Sequence, residues 1–113
     1  CPTGEVRVTP AFALPARWVI HAVGPVWRGG AAGEDALLAS AYRSALAAAH
    51  ELGAESISFP AISTGVYGFP KNRAASVALD EIRSWLDGGR APRRIVLVCF
   101  DRDSAAIYER LLG

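Results

Sequence analysis

Apolar positions recur along this chain in two rhythms, one of period two and one of helical period. Residues 5–9 alternate polar and apolar and predict a short strand. Pro10 and Pro15 bracket a turn, and residues 17–23 carry the dense run Trp-Val-Ile-His-Ala-Val, which predicts a buried strand closed by Gly24-Pro25. A glycine-rich loop follows over residues 28–33. Leu38, Ala41, Tyr42, Ala45, Ala49 and Leu52 then fall at helical spacing, which predicts a helix over 35–52 stopped by Gly53 in a left-handed conformation. Residues 56–59 predict a short strand ended by Pro60. Pro70 suits the first turn of a second helix, because its missing N–H would have no intrahelical partner there. That helix runs to about Leu86, with Ala75, Leu79, Ile82 and Leu86 on one face and Gly88-Gly89 at its end. Residues 94–100 hold Ile-Val-Leu-Val and predict a buried strand of parallel type. Asp101 or Asp103 would cap a last helix, with Ile107, Tyr108, Leu111 and Leu112 toward the core.

Strands alternating with helices imply an α/β fold with parallel pairs and right-handed crossovers. In such sheets ligands sit beyond the carboxyl ends of strands. The segments leaving those ends are residues 60–70 and 100–103.

Composition narrows the function. The 113 residues suit one domain, and 51% of them are apolar, enough for a core. Twelve basic and 11 acidic residues leave a net charge of +1, which argues against nucleic-acid binding through bulk electrostatics. The nearest thing to a basic cluster, Arg90, Arg93 and Arg94, reads as a solvated loop beside a strand. No apolar run approaches the roughly 20 residues of a membrane span. Two cysteines, Cys1 and Cys99, give neither a disulfide framework nor metal-ligand spacing, so a reducing, cytoplasmic setting is expected. The chain opens on Cys1 and holds no Met, which suggests a piece of a longer polypeptide.

The loop over residues 59–70, Phe-Pro-Ala-Ile-Ser-Thr-Gly-Val-Tyr-Gly-Phe-Pro, lies between a predicted strand and a predicted helix. Gly65 and Gly68 let the backbone turn sharply and approach a ligand. Successive main-chain N–H groups in such a turn form a concave anion site, and the helix start just downstream adds partial positive charge. Ser63 and Thr64 supply hydroxyls, and Tyr67 supplies a ring that can pack over a sugar or base. No Lys or Arg lies inside the loop, so an anion would be held mainly by dipoles. It is not a Walker loop, which ends in Gly-Lys-Ser/Thr. The plain alternative is a tight turn without a ligand.

The stretch Ala61-Ile62-Ser63-Thr64-Gly65-Val66-Tyr67-Gly68-Phe69-Pro70 resembles the second ligand loop of macrodomains. Cys1-Pro2-Thr3-Gly4-Glu5, Thr9-Pro10, Leu14-Pro15-Ala16-Arg17 and Val19-Ile20-His21-Ala22-Val23-Gly24-Pro25 are similar, in order, to macrodomains of the MacroD type. Val98-Cys99-Phe100-Asp101 is similar to that family's last strand and adenine-side loop. The resemblance implies a three-layer α/β/α sandwich with a mixed, largely parallel sheet. It implies ADP-ribose as ligand and no metal or other cofactor. Ile62, Ser63, Thr64, Gly65, Val66, Tyr67, Gly68 and Phe100 become the candidate binding residues. The Gly65, Val66 and Tyr67 backbone would face the diphosphate, the Tyr67 ring the distal ribose, and Phe100 the adenine. Asp101 carries no firm role.

Departures from the family pattern bear on activity. There is no Asn-Ala-Ala-Asn segment, the only Asn is Asn72, and the glycine-rich Gly29-Gly30-Ala31-Ala32-Gly33 stands after the second predicted strand, the wrong place for the first ligand loop. The resemblance therefore describes residues 1–113 as the second part of one macrodomain, lacking its first strand or strands and first ligand loop, with no catalytic residue in this chain. Three functions follow from it. The parent domain hydrolyses ADP-ribosyl esters, either mono-ADP-ribosylated carboxylates or O-acetyl-ADP-ribose; it reads ADP-ribose without cleaving it; or the chain is inactive without its N-terminal half, held in another segment or chain.

Other reactive residues read as structural. His21 sits in an apolar run and is expected to be a satisfied structural residue. His50 lies near a helix C-terminus, at the surface. Cys1 as an N-terminal nucleophile lacks any visible orienting group, and Cys99 reads as a small core residue. Trp18, Trp27 and Trp85 are assigned to packing.

Overall fold

The computed structural model describes residues 2–10, 18–65, 67–99 and 102–112. The element order is β1 (Val6–Pro10), β2 (Trp18–Ala22), α1 (Glu34–Glu51), β3 (Ser56–Phe59), α2 (Lys71–Asp87), β4 (Arg94–Leu97) and α3 (Arg102–Leu112). All seven predicted elements are present, with ends shifted by a residue or two except at β4, which stops at Leu97.

The strands form two separate pairs. β1 and β2 are antiparallel, with Val6 opposite Ala22 and Val8 opposite Ile20. β3 and β4 are parallel, with Ile57 opposite Ile95 and Phe59 opposite Leu97. Only one parity of strand residues meets the helices: Val6, Ile20, Ile57, Phe59, Ile95 and Leu97 pack into the core built on α1 and α2. Residues of the other parity, including Arg7, His21, Ser56, Ser58, Arg94 and Val96, are exposed. The described residues thus supply two of the three expected layers: sheet, and one layer of helices on one face. That one-sidedness is the physical reason β4 alternates between half-buried and exposed positions rather than being buried on both faces as its apolar run predicts.

Leu38, Tyr42, Ala45 and Leu46 of α1 and Ala74, Ala78 and Trp85 of α2 form the main core with Phe59 and Phe69. The Tyr42 and Phe59 rings lie 5.0 Å apart, tilted, within the range of favourable aromatic pairs. A second cluster joins Ala75 and Leu79 to Tyr108 of α3, with Cys99 against it. Two predicted core positions are corrected. Leu86 is exposed and its neighbour Trp85 takes the buried position, with the Arg90 guanidinium 3.9 Å above its ring. Leu112 is 61% exposed, at the last residue of α3. Pro70 is the N-cap of α2 rather than a residue of its first turn. Asp103 lies within the first turn of α3 instead of capping it, and Asp101 lies outside the described residues.

Candidate functional site

Phe59 ends β3 in the core, and Pro60 releases the chain into the loop that leads to α2. The loop is closed by its own backbone. The Phe69 N–H donates to the Ser63 carbonyl at 2.9 Å, and the Gly68 N–H to the Gly65 carbonyl at 3.0 Å. Phe69 is buried and pins the far end of the loop in the core. Ile62 packs against that core at the near end, beside the Tyr42 hydroxyl. Burial, first of all, and then Tyr108 keep the Tyr42 phenol well above its ordinary pKa, so it stays a neutral anchor under the loop.

Between these anchors the loop faces outward. Gly65, Tyr67 and Gly68 are exposed, and Thr64 is half-buried. Gly68 is left-handed at φ 72°, as a turn glycine allows. Ser63 is left-handed too, at φ 65°, a conformation uncommon outside glycine. Its hydroxyl is buried without a partner among the described residues. It lies against Gly24, where an added Cβ would overlap it and come within 2.6 Å of Ile62. The amide N–H groups of Thr64, Gly65 and Tyr67 make no hydrogen bond among the described residues. α2 begins directly afterwards with no acidic residue of its own in its first turn. Amides and a Ser63 hydroxyl without partners among the described residues, set before a helix start with Lys71 beside Thr64, suit a compact anion gripped largely by backbone.

Of the predicted site residues, Ile62, Ser63, Thr64, Gly65, Tyr67 and Gly68 stand together in this loop. Val66 and Phe100 lie outside the described residues. Sequence reasoning did not foresee what stands behind the loop. The Trp27 N–H donates to the Tyr67 carbonyl at 2.8 Å. The Trp27 ring lies 4.9 Å from that of Phe69, and the Arg73 guanidinium is 5.1 Å from the Trp27 ring centroid. Arg73 is paired with Asp35 through both carboxylate oxygens at 2.7 and 2.9 Å. Trp27 is therefore packing, as expected, but packing that supports this loop. An isolated Trp ahead of Arg28-Gly29-Gly30 gives no periodic signal from which that contact could be read.

The remaining reactive side chains have ordinary partners. His21 is exposed and its Nε2 is 2.9 Å from the Thr9 hydroxyl. His50 Nδ1 is 2.8 Å from the Ala91 carbonyl. Cys99 is a free, half-buried thiol, and Cys1 lies outside the described residues. Among the described residues no three metal-ligating side chains cluster, and no helix is long and apolar enough to cross a membrane.

A larger cleft, of about 910 Å³, opens between β2 and β3 beside the C-terminal end of α1. Ile20, Ala45, Ala49 and Ile57 line it, and Pro60 and Ile62 at its end connect it to the loop.

Comparison with known proteins matches the family model described as Macro domain over residues 1–78. A Macro domain-containing protein of Methanosarcina mazei is 47% identical over all of this chain, which covers 60% of that protein. A protein of Escherichia fergusonii named O-acetyl-ADP-ribose deacetylase is 49% identical over 99% of this chain and 63% of its own length. Among solved structures, a mutant of the Oceanobacillus iheyensis macrodomain with ADPR superposes at a TM-score of 0.93 with 42% identity, covering 99% of this chain and 60% of that one. The Trypanosoma brucei macrodomain in complex with ADP-ribose superposes at 0.91 with 42% identity, over 100% of this chain and 47% of that one. The chain spans about three fifths of the length of the curated relatives it matches.

Proposed function

This chain belongs to the Macro domain family, and on that premise we propose that residues 1–113 are the second part of an ADP-ribose-binding macrodomain. The observation that carries the reading is the self-closed loop at residues 63–69, whose Thr64, Gly65 and Tyr67 amides have no hydrogen-bond partner among the described residues and lie just before the start of α2. In this reading the Gly65, Val66 and Tyr67 backbone grips the diphosphate, Ser63 and Thr64 add hydroxyls, the Tyr67 ring covers the distal ribose, and Phe100 packs on adenine. The relatives' names support the ligand: one is an O-acetyl-ADP-ribose deacetylase, and two structures hold ADPR or ADP-ribose.

The complete domain hydrolyses ADP-ribosyl esters. Water adds to the ester, the acyl group leaves as a carboxylic acid, and ADP-ribose is released. This chain holds and orients the ligand, a contribution of position rather than of proton transfer. The acidic group that assists the water belongs to the remainder of the domain.

The cleft between β2 and β3 supports that division. β2 connects through α1 to β3, the arrangement of a parallel crossover, and among the described residues neither strand has a partner on the edge that faces the cleft. A five-residue strand fills about 17 Å by 4.8 Å by 10 Å, roughly 800 Å³, from ordinary strand and layer spacings. The cleft holds about 910 Å³. Its occupant is one strand of the remaining segment, parallel to β2 and β3, with its carboxyl end delivered beside Ser63. A free Cys99 thiol suits the reducing, cytoplasmic setting this reading includes.

Titration calorimetry with ADP-ribose tests the proposal, on this chain alone and mixed with the portion of the Methanosarcina mazei relative outside the matched region. Micromolar binding in either arm supports the loop assignment, and binding only in the mixture supports the strand slot as well. No binding in either arm by folded protein overturns the ligand reading. Turnover of an aspartyl- or glutamyl-ADP-ribose ester by the mixture marks a hydrolase, and tight binding without turnover marks a reader.

A further inference from the structure

The glycine-rich stretch over residues 28–33 has no part in the proposed ligand contacts, yet it is tightly organised. The amide N–H groups of Arg28, Gly30 and Ala32 converge on the Glu34 carboxylate at 2.9, 2.8 and 2.7 Å. Convergent backbone amides of this kind form an anion nest. Here the nest is filled by the chain's own carboxylate, which is buried at the first residue of α1. A free phosphate has no room in it. Its effect is instead mechanical.

Trp27 is the residue immediately before this stretch. Its backbone N–H holds the Tyr67 carbonyl, and its ring lies against Phe69. Gly30 sits directly under that ring, since a Cβ there would come within 2.8 Å of Trp27 and 3.0 Å of Arg73. Glu34 thus fixes residues 28–32 onto α1, those residues seat Trp27, and Trp27 holds two residues of the candidate ligand loop. Asp35 steadies the same indole through Arg73.

We infer that Glu34 is a positioning residue for the ligand loop, setting through Trp27 where the Tyr67 backbone and ring stand. The identity of the ligand rests on the ADP-ribose reading; the mechanical link does not.

Glu34→Gln tests it, because the amide places an N–H donor where only backbone donors converge. ADP-ribose affinity is expected to fall on the order of tenfold, about 1.4 kcal/mol. Hydrogen exchange is expected to speed up at the Trp27, Gly68 and Phe69 amides while those of Leu46 and Leu79 keep their protection. Gly30→Ala keeps the Glu34 side chain but strains a left-handed residue whose amide donates to it and presses on Trp27; it is expected to give the same pattern and decides the matter where Glu34→Gln does not fold. Wild-type affinity in both variants, or exchange that rises evenly through the core, overturns the inference. Local exchange changes in the variants, with a parent that binds no ADP-ribose either alone or in the mixture, overturn the ligand reading and leave the brace standing.

Discussion

Gly65 and Gly68 stand three residues apart in one loop, yet they answer substitution differently because only Gly68 uses left-handed backbone. A side chain at Gly68 costs roughly 1–2 kcal/mol for that conformation, so Gly68→Ala is expected to lower the urea midpoint measurably. Gly65 has open space where a Cβ would go and no such strain. Gly65→Phe is therefore expected to melt within about 0.5 kcal/mol of the parent, as an unremarkable surface change does. It should nonetheless abolish ADP-ribose binding by filling the place of the diphosphate. Calorimetry and thermal melts on one sample separate the two effects, and retained affinity would remove the ligand from this loop. Glu34 adds a pH signature. Its carboxyl is held at about 2, against an ordinary 4.5, chiefly by the Arg28 and Gly30 amides. Because the folded value is depressed, its contribution is complete above about pH 4.5 and is lost as the pH falls toward 2. Urea melts at pH 7 and pH 3 should show the parent losing more stability than Glu34→Gln between those two values.

At the scale of elements, the helices carry the core and the strands sit upon them. Leu46 of α1 is fully buried among Tyr42, Phe59 and their neighbours. Leu46→Ala is expected to cost about 2–5 kcal/mol, the range for emptying a packed leucine site, read from chemical denaturation. The same change should leave ADP-ribose affinity nearly unaltered at temperatures where the protein stays folded, since Leu46 lies in the core of α1 and is not itself a residue of the loop. The elements themselves were legible because their periodicity is a local property: α1 follows from Leu38, Tyr42, Ala45 and Ala49, and β3 from four residues between Gly53 and Pro60. Burial was legible only where a second layer exists to provide it. The Ile-Val-Leu-Val run of β4 promised two covered faces, but cover depends on what lies beyond the strand. The candidate loop was legible as a loop because its own residues close it. Its support was not, because Trp27, Glu34 and Arg73 meet across α1 and α2, and contacts between distant segments leave no spacing to detect.

Over the whole molecule, the one-sided placement of helices governs how a ligand would arrive. Each helix follows a strand, so by crossover geometry α1, α2 and α3 begin near the carboxyl ends of the strands, at the end of the sheet where the Ser63–Gly68 loop lies. Glu34 and Asp35 offset the positive start of α1, and Asp103 that of α3, while α2 begins at Lys71 with no acid in its first turn. A chain of net charge +1 therefore presents an anionic ligand with a directed field at close range rather than a general attraction. The consequence is kinetic. Encounter should be accelerated only over the last Debye length, about 10 Å at 0.1 M salt. Stopped-flow association of ADP-ribose should slow as salt rises from 0.02 to about 0.5 M, through the on-rate with dissociation little changed. Placing a carboxylate in the first turn of α2 by Asn72→Asp should flatten that dependence. The arrival of the nucleotide would then be controlled by a residue that never touches it.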